Sequence, residues 1–592
     1  MDREKIEERY KWDLSKIYSS IDDFRSDIQL VKEKMNDFSK YKDMTYDENT
    51  LYEVISLYME TSSILNKLDV YTSLLSDEDT GINKNRELKE EVSNLSSEFI
   101  SKTYFIEPNI LKIGYNLIEG YYKKNEKLLE YKRYLYKLYR YKEHMLSDSE
   151  EKLLANLSKV FGNNYETYEL MKDSDMVFPN FVVDNKDYEL NNSNYSIYIE
   201  DDNRDIRKGA FDTLYETFKQ YKNVYANLIT SNIKEEVSIS KIKKYKSALE
   251  SATYHDELDE SIYNNLIDVI NNKMEILHKY YDLKKEVLEL DELHLYDVYA
   301  NLVLEDRKEY DFESSKETVI NALSILGDEY ISILKKGIED RWIDVYPNKR
   351  KRTGGYSSGC YDTNPYILLN YQNKYDDMST LAHELGHSMH SYYTRKNNPY
   401  QYGHYSIFVA EVASTVNELI LAKYVIKTSN NKNEKLFILN RLMELFRATI
   451  YRQTMFAEFE KKIYEMIEED KPVSADTLSK EYYKLNEVYF GKNVVVDDYI
   501  RYEWARIPHF YYNFYVYKYA TGLSAASYIV NGLLDGTIKK EDYINFLKCG
   551  DSKSPLESLK VAGVDLSKKE VLISATEMFN SIIDEFREIY FK

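Results

Sequence analysis

The sequence predicts a mainly α protein of two lobes or more, with β-structure confined to small local elements. Three observations carry that expectation. Only 18 Gly and 8 Pro occur in 592 residues, so the chain holds few residues that break a helix. Apolar residues recur at three- and four-residue steps among Lys, Glu and Arg along much of its length, as amphipathic helices require. A chain of 592 residues also exceeds what one hydrophobic core usually holds.

From the start to about residue 175, helix follows helix. Leu128, Tyr131, Leu135 and Leu138 step by three and four, and Ser147 with Glu150 reads as a capping box ahead of Leu153. The 60 tyrosines are read chiefly as core, because a tyrosine stripe at helical spacing packs. Between about 176 and 200, Pro179-Asn180, Asp184-Asn185 and Asn191-Asn192 punctuate short segments. There Tyr195, Ile197 and Ile199 alternate with polar neighbours, which predicts a small hairpin or a lobe junction. Helices resume from Asp205 to about 340, with a polar break near Ser251 to Asp259. Residues 353–361 then gather Gly354, Gly355 and Gly359, and Ile367-Leu368-Leu369 follows as a short strand. Leu381 to Arg395 is a helix ended by Asn397-Asn398-Pro399, and a second helix starts near Tyr405.

A formal net charge of −21 argues against nucleic acid as the partner, since polyanion binding needs a basic face. The densest basic run, Lys349-Arg350-Lys351-Arg352, is read as a solvated loop. Two cysteines, Cys360 and Cys549, make no disulfide framework and fit a reducing compartment. The charged start, Met1-Asp2-Arg3-Glu4-Lys5, shows no signal peptide, and no apolar run of about 18 residues spans a membrane. The expectation is a cytoplasmic protein, with no sequence signal for its oligomeric state.

Chemistry concentrates at His383-Glu384-Leu385-Gly386-His387. Residues four apart share a helix face, so both imidazoles project toward one point and suit a single Zn²⁺ per chain. Glu384, rotated by about 100°, is placed as the general base of a zinc hydrolase. A catalytic zinc takes a third protein ligand. Glu411 is the candidate, because it sits among Val409, Ala410, Val412 and Ala413, where a carboxylate is costly unless a cation compensates it. Glu418, two turns on, is either a partner that orients a ligand imidazole or an ordinary carboxylate on a helix edge. The glycine loop with its strand is either a substrate-binding flap whose edge pairs with a peptide or a structural turn. His509 and its five neighbouring tyrosines supply either transition-state donors or an aromatic core.

These stretches resemble oligoendopeptidase F of the M3 family of zinc metallopeptidases, relatives of thimet oligopeptidase. The likeness is carried by Arg9 to Leu14, Tyr356 to Tyr371, Leu381 to His390, Phe408 to Thr415 and Arg506 to Gly522, spread over nearly the whole chain. It implies a two-lobed helical body with a deep channel that admits short unfolded peptides. In that body a helical lobe over 1–200 would precede a catalytic domain over 201–592. The resemblance assigns zinc to His383, His387 and Glu411, and the base to Glu384. It raises His509 to a transition-state donor together with a tyrosine, for which Tyr517 and Tyr515 are the expected residues. Gly354, Gly355, Tyr356, Gly359 and Tyr512 become peptide-binding residues, and Glu418 remains the candidate behind the ligands. The function so implied is zinc-dependent endopeptidase cleavage of oligopeptides. The rival readings are a zinc carboxypeptidase on a similar scaffold and a helical peptide-binding protein without catalysis.

Overall fold

A computed structural model of the chain describes residues 2–158, 160–303 and 308–592. Helices dominate, and the sheets among the described residues are two pairs and one triplet of very short strands. Packing divides the chain into two compact units, each drawn from three separate segments. Unit 1 combines Met1–Glu143, Lys308–Tyr424 and Ile529–Gly563; unit 2 combines His144–Arg307, Val425–Tyr528 and Val564–Lys592. A boundary at residue 200 divides the chain by order, whereas the units divide it by packing.

In unit 1 the helices Ile21–Asp37, Glu48–Glu78 and Asn83–Thr103 bury one stripe each, including Phe24, Val31, Leu51, Leu68 and Val92. That core also takes in Tyr366 and Leu368 from a three-stranded sheet. The sheet consists of β1 (Ile343–Asp344), β2 (Tyr356–Ser358) and β3 (Tyr366–Leu368). β3 lies in the middle, parallel to β1 and antiparallel to β2, with Ser357 opposite Ile367. The early stretch around Trp12 is fastened here. Its ring meets Tyr366 edge-on at 6.2 Å, and Arg3 donates to Glu78 and Asp344.

The basic run 349–352 is not a solvated loop. Lys351 is buried, pairing with Asp344 and donating to the carbonyls of Tyr346 and Leu369. Arg350 grips Asp79 with two hydrogen bonds, and Arg352 pairs with Asp77. Asp77 and Asp79 lie far away in sequence, so charge density alone could not reveal them.

After the sheet comes α1 (Tyr375–Asn397). Asp376 and Asp377 occupy its first turn and Arg395 and Lys396 its last, each sign matched to the helix dipole. Asn398 leaves the helix in an extended conformation, as a residue before proline prefers. α2 (Ile407–Thr428) follows, two residues later than expected.

In unit 2 the 39-residue helix Arg204–Ile242 packs with Gln453–Glu468, Ala475–Phe490 and the 3₁₀ segment Asp498–Arg506. Glu503 is buried at their meeting point, accepting from Tyr215, Tyr482 and Arg452. The hairpin predicted before residue 200 exists, but at Phe181–Val183 and Lys186–Tyr188, turning on Asp184 and Asn185 with positive φ. Tyr195–Ile199 is a single helical turn instead of a strand. Tyr195 and Ile199, four apart, are buried while Ile197 is 67% exposed; over five residues the two periods are hard to separate. The polar break expected from Ser251 is likewise shorter, since Ala248–His255 is helical.

Candidate metal centre

α1 and α2 approach one another unusually closely, and a glycine permits it. A Cβ on Gly386 would lie 2.5 Å from the Ser414 Cα and 2.6 Å from the Ala413 carbonyl oxygen. Beside this contact the buried Asn417 donates from Nδ2 to the Ala382 carbonyl at 3.0 Å, while the Tyr330 hydroxyl donates to its Oδ1. The pair of helices is thereby fixed in register, which sets Glu411 and Glu418 opposite the histidine face.

The result is a cluster of three ligand atoms. His383 Nε2 lies 3.1 Å from His387 Nε2, and Glu411 Oε2 is 3.4 Å from the first and 3.6 Å from the second. Bonds of about 2.0–2.1 Å arranged as a tetrahedron set ligand atoms about 3.3–3.4 Å apart. Two imidazoles and a carboxylate at these separations fit a divalent metal. No other group of three or more His, Cys, Asp or Glu among the described residues meets that condition.

Both imidazoles are oriented from behind. Glu418 takes a short hydrogen bond with His383 Nδ1, and the ring of His387 hydrogen-bonds the Ala410 backbone. Burial pulls His383 down, but Glu411 and Glu418 outweigh it and push its pKa up to about 10. Burial and the His383 charge push His387 down to about 4.

Glu384 stands beside the cluster without joining it. It is 6% exposed, its Oε2 has no hydrogen-bond partner, and the Ser357 backbone N–H of β2 bonds its carboxylate. Burial pushes its pKa up to about 7, with Glu411 and Glu418 adding and His383 opposing. A carboxyl poised near neutrality can take up and release a proton. The hydroxyls of Ser357 and Ser388 hydrogen-bond at 2.8 Å, a second tie between β2 and α1.

The glycine loop surrounds β2, with Gly354 and Gly355 before it and Gly359 after it. At Gly359, φ is +145°, and a Cβ would lie 2.8 Å from both Arg395 Nη1 and the Asn364 carbonyl. Tyr356 spends its hydroxyl on Asp77 at 2.7 Å, so it anchors the strand. β2 pairs through one edge only. A cleft of about 830 Å³ elsewhere in unit 1 is lined by residues such as Tyr58, Tyr134 and Arg395 and includes none of the metal cluster.

His509 and its tyrosines belong to unit 2. His509 lies in the 3₁₀ turn Pro508–Tyr511, and α3 (Tyr517–Asp535) follows. Four rings close on each other edge to face: His509 with Tyr512 at 5.7 Å, Tyr512 with Tyr515 at 6.3 Å, Tyr515 with Tyr519 at 5.4 Å, and Tyr519 with His509 at 5.9 Å. Tyr517 is not in this group. It is 1% exposed and packs against Tyr263 at 5.1 Å. Tyr519, which the sequence reading did not single out, is half-buried with its hydroxyl 3.5 Å from His509 Nε2. Other residues missed were Asn417, Gly386 and Ser357; only Gly386, inside a helix of a glycine-poor chain, left any signal.

Comparison with known proteins adds to this geometry. Residues 197–578 match the model of peptidase family M3, and residues 109–178 match that of Oligopeptidase F. The chain is 41% identical over 594 residues to Oligopeptidase PepF of Bacillus subtilis, covering 100% of this chain and 89% of that protein. It is similar to a crystal structure from Chlamydophila abortus, with a TM-score of 0.94, 34% identity and 99% of each chain covered. It is also similar to the crystal structure of oligoendopeptidase-F from Enterococcus faecium, with a TM-score of 0.73 and 31% identity over 96% of this chain and 99% of that one.

Proposed function

The chain belongs to peptidase family M3 and is a metalloendopeptidase; from that premise we propose that it uses zinc to hydrolyse internal bonds of short unfolded oligopeptides. The observation that carries this reading is the meeting of His383, His387 and Glu411, with the buried Glu384 alongside. His383, His387 and Glu411 would hold one Zn²⁺, a borderline-soft ion suited to imidazole and carboxylate. Bound there, zinc supplies a Lewis acid and a lowered water pKa.

The chain's own residues do the rest. Glu384 takes a proton from the attacking water and hands it to the leaving amine. Glu418 and the Ala410 backbone hold the two imidazoles in the orientation the ligands need. The free edge of β2, flanked by Gly354, Gly355 and Gly359, pairs with the peptide backbone, and Tyr512 is a further substrate contact. His509, with Tyr515 or Tyr519, donates to the oxyanion; loss of one such donor typically costs about 10²–10³ in turnover. Residues 201–592 carry this chemistry, and the site of action is the cytoplasm. Among the described residues no helix is long and apolar enough to cross a membrane.

The test is digestion of a mixed peptide library with and without chelator, reading cleavage positions and lengths by mass spectrometry. Chelator-sensitive internal cuts are expected. Glu384→Gln should keep the metal and lose about 10²-fold or more in turnover, and Glu411→Ala should lose metal. Full activity in Glu384→Gln sinks the base assignment. Trimming restricted to unblocked C-termini makes the protein a carboxypeptidase, and tight binding without cleavage makes it a peptide-binding protein.

A further inference from the structure

Between the His509 turn and α3 the chain makes a bend with an unusual backbone. Asn513 and Phe514, neither of them glycine, have φ of 46° and 55°. For L-residues the left-handed region is disfavoured, and a bulky aromatic there is a genuine outlier. Such a conformation persists only where its surroundings impose it.

Three buried anchors do so. The Phe514 N–H donates to Glu460 Oε1 at 2.8 Å. The Phe514 ring is 2% exposed, packed on Tyr464 at 4.3 Å and Tyr263 at 5.6 Å. The Asn513 Oδ1 accepts from the Tyr464 hydroxyl at 2.7 Å and from Asn232 at 3.1 Å. What the bend delivers outward is Tyr512 on one side and Tyr515 on the other, ring to ring with His509 and Tyr519.

We infer that Glu460 and Asn513 are positioning residues, whose task is to hold the bend so that Tyr512 and Tyr515 stand beside His509 for the reaction. The inference rests on the reading of this segment as donor- and substrate-facing. Glu460 is an expensive way to accept one amide proton. It is 2% exposed, its Oε2 has no partner, and burial pushes its pKa up to about 8. Tyr263 and Tyr464 face it, and among the described residues no cation compensates it. Where stability alone is at stake, an uncompensated buried carboxyl weakens the core; retained beneath a strained, ring-bearing bend, it points to the site.

The test compares Glu460→Gln, which keeps an acceptor for the Phe514 amide, with Glu460→Leu, which removes it, and Asn513→Gly, which keeps the bend accessible but removes the side-chain acceptor. Amide hydrogen exchange of residues 511–516 by mass spectrometry reads the bend without reference to activity. A quenched fluorescent peptide gives kcat and KM. Glu460→Leu and Asn513→Gly should speed exchange in this segment and lower kcat/KM by about 10- to 100-fold at unchanged metal content. Glu460→Gln should restore most of both. Exchange that stays slow in Glu460→Leu and Asn513→Gly overturns the inference, as does fast exchange with unchanged kcat/KM. Should Glu460→Leu fail to fold, Asn513→Gly decides alone. If the reading of this segment as donor- and substrate-facing were wrong, His509→Ala would leave kcat/KM unchanged, a result separable from the exchange data.

Discussion

A carboxylate on the outer nitrogen of His383 decides which ring nitrogen is left to face a cation. Because Glu418 holds Nδ1, the tautomer and the ring plane are set before any ligand arrives. Glu418→Ala should therefore weaken zinc by about 10- to 100-fold while leaving the three ligands in place, as measured by competition with a chromophoric chelator. An unchanged affinity would reduce Glu418 to a bystander. Legibility at this scale follows locality. His383, Glu384 and His387 are readable because helical spacing alone turns the two imidazoles together, and Glu411 because an acid in an apolar stripe needs a partner. Tyr517 and Tyr519 were not separable. They sit two apart at the start of α3, and which one turns to the core depends on the bend before it.

At the scale of elements, the site depends on how near α2 can come to α1. With 2.5 Å between a Gly386 Cβ and the Ser414 Cα, the obstacle is backbone on both sides and cannot rotate away. Gly386→Ala should cost about 1–3 kcal/mol, seen as a lower urea midpoint, and should also weaken metal binding, since Glu411 rides on the helix displaced. A variant that lost stability but held metal as tightly would show that Glu411 is placed by something other than this contact. α1 starts at Tyr375, six residues before the expected Leu381, whereas ends with a local marker could be read from the sequence: the stop at Asn397-Asn398-Pro399 and the Ser147 cap. Short segments could not. Tyr195–Ile199 has too few residues to show its period, and the burial of Lys351 depends on Asp344 and on carbonyls that only the folded sheet assembles.

For the whole molecule, the consequence lies in how the segments are shared. Each compact unit needs an early, a middle and a late piece of chain, and the unit 1 core joins Trp12, Leu51 and Leu128 to Tyr366 and Leu368. Residues 201–592 expressed alone would lack the early part of both units. We expect that fragment to show helical signal but no cooperative thermal transition, and to recover one on addition of residues 1–200. A sharp transition from the fragment alone would mean that the catalytic segment is self-sufficient. The crowding of His383 Nε2, His387 Nε2 and Glu411 Oε2 reaches beyond chemistry at this scale. A cation held there binds the folded chain and not the unfolded one, worth about 2.7 kcal/mol when free metal stands at about 100 times its dissociation constant. Scarcity of metal in the surroundings would then shorten the protein's lifetime as well as stop its turnover, tying its abundance to the supply of its own cofactor.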